Sequence, residues 1–81
     1  FEDALAHLER GWALKRNAPI TPRSKAAAAF NLAQALWSLD RDPERTEELL
    51  AQTVKFYEEA APAGADDLEA VREWIRNRPP R

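Results

Sequence analysis

Lys25-Ala26-Ala27-Ala28-Ala29-Phe30-Asn31-Leu32-Ala33-Gln34-Ala35-Leu36-Trp37-Ser38-Leu39, framed by Thr21-Pro22 on one side and Asp42-Pro43 on the other, decides the fold. Both framing pairs are helix start signals. A side-chain oxygen caps the first free amides, and a proline follows in the first helical position, where no amide hydrogen is needed. Between them, Ala29, Leu32, Ala33 and Leu36 recur at helical spacing and make one apolar face, while Phe30, Gln34 and Trp37 lie on another. A helix with two such faces has two neighbours, or one neighbour and a ligand.

The rest of the chain divides the same way. Upstream, from Phe1 to about Arg16, Phe1, Leu5, Leu8 and Trp12 form one helical stripe, with Ala4 and Gly11 beside it. Asn17-Ala18-Pro19-Ile20 ends that helix, because proline disfavours helical geometry in the residue before it. Downstream, Pro43 to Ala60 carries Glu44, Glu47 and Glu48 in its first turns, where negative charge complements the helix dipole. Thr46, Leu49, Leu50, Thr53, Val54 and Tyr57 make its inward stripe. Ala61-Pro62-Ala63-Gly64 breaks it. A fourth helix is expected over residues 66–77, with Asp66 as cap and Glu69 three residues on in a capping-box arrangement. Leu68, Val71, Trp74 and Ile75 supply its apolar face, and Asn77, Pro79 and Pro80 stop it. Sixteen alanines against two glycines favour helix throughout. The expected class is all-α: antiparallel helical hairpins of about four helices joined by short loops.

Bulk properties bound the function. Eighty-one residues make one domain, or part of a longer one, with a thin stability margin. The start at Phe1 without methionine suggests a piece of a longer protein. No cysteine is present, so neither disulfides nor a thiolate zinc site can staple the chain, and this fits a cytoplasmic location. A net charge of -2 leaves no electrostatic footprint for nucleic acid, and no apolar run approaches the roughly 20 residues that cross a bilayer.

Ala4, Leu8 and Gly11 in the first helix are matched by Thr46, Leu50 and Thr53 in the third, the same small-large-small triplet displaced along the chain. Small residues at the outer positions let two helices cross closely, and repeated hairpins of this kind build solenoids. On these residues the chain resembles the tetratricopeptide repeat family, in the long-period form of bacterial multidomain signalling proteins. Phe30 to Trp37 is similar to that family's first helix, and Thr46, Leu50 and Thr53 to its second. The resemblance implies that residues 1–16 are the second half of a partial repeat, 21–60 one complete repeat, and 66–77 the capping helix of an α-solenoid. Threonine stands where the family usually has alanine, and the turn from Asp40 to Arg45 is one residue longer than typical.

The resemblance also implies a site. In that family one side of each first helix lines a groove that holds a partner peptide, and here that side carries Ala27, Phe30, Asn31, Gln34, Trp37 and Ser38. Asn31 and Gln34 can pair with an extended backbone, and Phe30 and Trp37 offer flat apolar area. The competing reading is that Phe30 and Trp37 pack against the fourth helix or an upstream one. Asn31 discriminates, because a buried asparagine needs a partner and an exposed one faces a groove.

Catalytic chemistry finds little footing. His7 is the one histidine, with Asp3 and Arg10 on the same helix side, as on a solvated face. The acidic pairs Glu47-Glu48, Glu58-Glu59 and Asp66-Asp67 are sequence neighbours that point apart on a helix, unlike two carboxylates facing across a cleft. Ser24 and Ser38 have no base partner, and two glycines make no phosphate loop. Arg72, Arg76, Arg78 and Arg81 form a basic end that complements the carboxyl end of the last helix.

The expectation is a non-catalytic protein-binding module in a bacterial scaffold or signalling protein, with no cofactor, metal or nucleic acid. The alternative is a structural helical bundle that caps or dimerises its parent, self-associating through Phe1, Leu5, Leu8 and Trp12 if that stripe is left exposed.

Overall fold

The computed structural model describes residues 2–78, with side chains from residue 3, as four helices: α1 (Glu2–Lys15), α2 (Pro22–Ser38), α3 (Pro43–Ala60) and α4 (Ala65–Arg76). The described residues contain no strand. The all-α class is as the sequence predicts. Phe1, the stop residues Pro79 and Pro80, and Arg81 lie outside the described residues.

Local chemistry sets the middle of the chain. Thr21 caps α2, its Oγ1 accepting from the Ser24 amide at 3.3 Å, and Pro22 opens the helix. Asp42 caps α3 in the same manner, accepting from the Arg45 amide at 3.3 Å ahead of Pro43. Between the two helices the chain turns through left-handed backbone at Asp40 (φ 53°) and Asp42 (φ 44°), a conformation that aspartate tolerates better than most residues. Asp40 closes α2 there, with the Arg41 amide donating back to the Leu36 carbonyl at 3.0 Å.

The core is the seam between α2 and α3, the most extensive interface in the chain. Ala26, Ala29, Leu32, Ala33 and Leu36 of α2 are buried, as are Thr46, Leu49, Leu50, Thr53 and Tyr57 of α3. Alanines on one side and threonines on the other keep both surfaces low, so leucines can interlock between them. Each buried threonine satisfies its hydroxyl within α3: Thr53 donates to the Leu49 carbonyl at 2.8 Å and Thr46 to that of Asp42 at 3.2 Å. Burial pushes the Tyr57 phenol above its ordinary pKa; Asp67 adds to the shift and Arg23 opposes it.

α1 and α4 lie along opposite flanks of this pair. α1 inserts Leu5 and Trp12, seven residues apart on one stripe, into the same core; the Trp12 ring meets Phe56 edge-on at 6.3 Å, and Glu9 pairs with Arg45. α4 buries Val71 against Ala26 and Tyr57. Trp74 of α4 takes Phe30 and Trp37 edge-on, at 5.6 and 6.3 Å between ring centres. Arg23 and Asp67 tie α2 to α4 at 2.9 Å.

Three expectations change. Asp66 is not the cap of α4: Gly64 is, without a side-chain bond, so the capping box with Glu69 does not form. Gly64 is buried beneath Tyr57, and the Leu68 amide donates to its carbonyl, so the helix starts at Ala65 and leaves Asp66 and Asp67 in the first turn. The stripe Phe1, Leu5, Leu8 and Trp12, expected to drive self-association if left exposed, is not open at its described positions, and Phe1 lies outside the described residues. Leu5 and Trp12 are 8% and 3% exposed because α2 and α3 already cover them, and Leu8 is half-buried. Finally, the two matching triplets play different parts. Thr46, Leu50 and Thr53 are all buried in the seam. Ala4 is exposed, and a Cβ built on Gly11 meets nothing within 4 Å, so this triplet lies on the flank of α1 next to the one that carries Leu5 and Trp12.

Candidate protein-docking surface

The site that the sequence suggests is split by the fold. Ala27, Asn31 and Ser38 are exposed on the outer face of α2, and Gln34 is half-buried beside them. Phe30 and Trp37 lie around the helix from that face, half-buried against Trp74. The Arg78 guanidinium sits over the Trp37 ring, 4.9 Å from its centre, and forks onto Glu47 at 2.5 and 2.8 Å. The hydrogen bond to Glu47 raises the arginine pKa further above its already high ordinary value. The two aromatics therefore serve as the joint between α2 and α4, while the outer face keeps Ala27, Asn31 and Ser38.

That face has a property the motif reading passed over. From Ala26 to Leu39 no residue carries a charge, in a chain that is 32% charged. The inward half of such a run is ordinary core. Its outward half is a surface that needs little desolvation to be covered, and depletion of charge distinguishes the centre of a protein interface from the remaining surface. The signal was present in the sequence as an uninterrupted neutral run.

Beside this face, α1 and α2 enclose a hollow of about 130 Å³ lined by His7, Leu8, Gly11, Trp12, Lys15, Ala28 and Asn31. Its volume suits one large apolar side chain. Gly11 and Ala28 keep its walls low, and no acidic residue lines it. A second, smaller hollow of about 90 Å³ lies on the other flank of α1, lined by Trp12, Arg16, Arg45, Glu48, Leu49 and Gln52. It is polar and holds charges of both signs. Neither hollow could be read from one helix alone, because each depends on how α1 leans on its neighbours.

Among the described residues no group of three or more His, Cys, Asp or Glu side chains is placed to hold a metal ion, and no helix is long and apolar enough to cross a membrane. His7 is exposed at the rim of the larger hollow. Asp3 and Arg10 are exposed on the same helix. Of the basic end, Arg72 reaches Glu58 at 3.4 Å and Arg76 stands exposed in the last turn of α4. Comparison with protein-family models, with curated proteins and with solved structures found no match.

Proposed function

We propose that the chain is a non-catalytic interaction module, similar in plan to a tetratricopeptide hairpin, that docks a protein segment on the outer face of α2. The observation that carries this reading is the charge-free, partly exposed run on that helix, bearing Ala27, Asn31 and Ser38. An exposed amide in a neutral, low-walled surface can bond to the backbone of a partner without displacing a competing charge. Phe30 and Trp37 take part only indirectly, by holding α2 and α4 in place.

The test is a peptide-display selection against the immobilised domain, repeated on Ala27→Glu and Asn31→Arg, both at exposed positions that leave the core untouched. Peptides recovered on the unaltered domain should be lost on both variants. Peptides that bind all three proteins equally would place the docking surface elsewhere.

A structural bundle that caps its parent is the second reading. The Arg78 clasp on Trp37 and Glu47 favours it, because it ties the end of the described chain back onto the α2–α3 pair. An empty display selection, together with a stability collapse on Arg78→Ala, would favour that reading over the first.

A further inference from the structure

All 14 acidic residues lie outside residues 10–39, and that stretch of an otherwise acidic chain holds Arg10, Lys15, Arg16, Arg23 and Lys25. Folding sorts the five cations. Arg23 pairs with Asp67, and Lys25 lies over the Phe56 ring, 5.8 Å from its centre. Arg10, Lys15 and Arg16 stay exposed on α1 and just past its end, with no ion pair to any described residue. The acids that folding brings to α1 and α2 are turned to other sides: Glu9 holds Arg45, Asp67 holds Arg23, and Glu48 lines the smaller hollow. Asp3 is exposed on α1, but it stands roughly 18 Å along the helix from Lys15.

The larger hollow lies inside this acid-free zone. Trp12, Leu8 and Ala28, buried or half-buried, give it an apolar floor. Lys15 and His7 stand exposed at its mouth on the α1 side, and the Asn31 amide stands exposed on the α2 side. Such a pit asks two things of an occupant: a large apolar side chain for the floor, and negative charge close beside it for the mouth. An apolar group alone would strip water from Lys15 and give nothing back. A small anion makes no use of the floor. A lipid surface is flat at this scale and does not reach down between two helices.

We infer that the α1–α2 furrow takes an acidic protein segment, one large apolar side chain entering the hollow over Leu8, Gly11 and Ala28 while a neighbouring carboxylate meets Lys15. The inference rests on the docking reading and adds the chemistry of the partner: the neutral face of α2 gives the bed, and α1 gives the sign of charge it selects. One anchor and one ion pair at a partly exposed site make the contact weak and sensitive to salt.

The test titrates the isotope-labelled chain with capped heptapeptides: a phenylalanine flanked by glutamates, the same peptide with lysines for the glutamates, and the same with alanine for the phenylalanine. In amide NMR spectra the first peptide, at up to about 5 mM, should shift Gly11, Lys15, Ala28 and Asn31 together, and both controls should bind about tenfold more weakly or not at all. Raising salt from about 50 to about 500 mM should weaken the contact several-fold. Lys15→Glu should weaken it by about tenfold or more. Gly11→Leu places its side chain in open space and suits a helix, so it should fill the hollow and abolish the shifts in a domain that stays folded. Equal binding of the lysine peptide, indifference to Lys15→Glu or Gly11→Leu, or unmoved amides around the hollow would each overturn the inference. So would shifts of the same amides on concentrating the chain alone, which give the furrow to a second copy. Co-sedimentation with phosphatidylserine vesicles, abolished by Lys15→Glu while the peptides move nothing, would overturn it in favour of a lipid surface. Display-selected peptides lost on Ala27→Glu and kept on Lys15→Glu would leave the docking reading standing without this one, whereas an empty selection together with silent heptapeptides would sink both. In that selection Asn31→Arg lays a long side chain across the hollow, so it blocks the anchor despite its charge.

Discussion

Replacing each of the two glycines by alanine should move stability in opposite directions. Gly11 lies in the interior of α1, and its missing Cβ would meet nothing within 4 Å. The substitution then changes only the backbone entropy of the unfolded chain and the local helix propensity, a gain of about 0.5–1 kcal/mol. For a domain of this size that is a rise in Tm of roughly 4 °C. Gly64 is the opposite case. Its backbone (φ -94°) is open to any residue, but a Cβ there would sit 3.0 Å from Tyr57 Cδ1, 3.2 Å from the Tyr57 carbonyl oxygen and 3.3 Å from the Ala60 Cβ. The ring can yield, but the carbonyl is fixed in α3, so the cost is that of overpacking, about 1–3 kcal/mol. Denaturant melts of the two variants at low micromolar concentration should therefore diverge by about 1.5 kcal/mol or more. If Gly11→Ala is destabilising instead, another backbone lies against α1 at Gly11, as the repeat resemblance implies. The open flank described above would then be wrong.

Three further outcomes follow from the packing. Trp74→Ala removes the ring that meets both Phe30 and Trp37; as Trp74 is half-buried, the loss should fall near the lower end of the aromatic-to-alanine range, about 3 kcal/mol, by chemical denaturation. Arg78→Lys keeps the charge but cannot fork onto Glu47 or lie flat over Trp37, and because Glu47 is over half exposed the cost should stay within about 1 kcal/mol and shrink further in high salt. Tyr57 has a raised pKa in the folded chain, so its contribution is fully present below about pH 10 and is lost as pH climbs through the folded value, because the unfolded phenol releases its proton first. Alkaline melts should show this loss in the unaltered chain, and Tyr57→Phe should flatten it.

The parts of the fold that rest on neighbours in sequence were legible. Thr21-Pro22 and Asp42-Pro43 define their helix starts through contacts spanning three residues, and the α2 and α3 stripes follow from spacing alone. The start of α4 was misplaced by a tertiary effect: Tyr57, from another helix, covers Gly64 and brings the chain into helical geometry before Asp66. The part played by Phe30 and Trp37 was open for the same reason, since Trp74 lies far along the chain. Ala4, Leu8 and Gly11 specify a face of α1 but not the direction in which it turns. Leu5 and Trp12, larger and equally periodic, win the contact with the core. The neutral run from Ala26 to Leu39 was visible without coordinates, yet only the fold separates its outward half from its inward one.

The threonine hydroxyls of α3 bear on how the central pair would respond to force. Thr46 and Thr53 both turn back onto their own helix, so neither fastens α3 to α2. At these two positions the match between the rods rests on shape, like gear teeth without a pin. A pull along their axes must lift every leucine over its threonine or alanine step at the same moment. A pull that peels them apart opens the toothed surface one layer at a time, so separation from one end is the mode in which this pair should give way first.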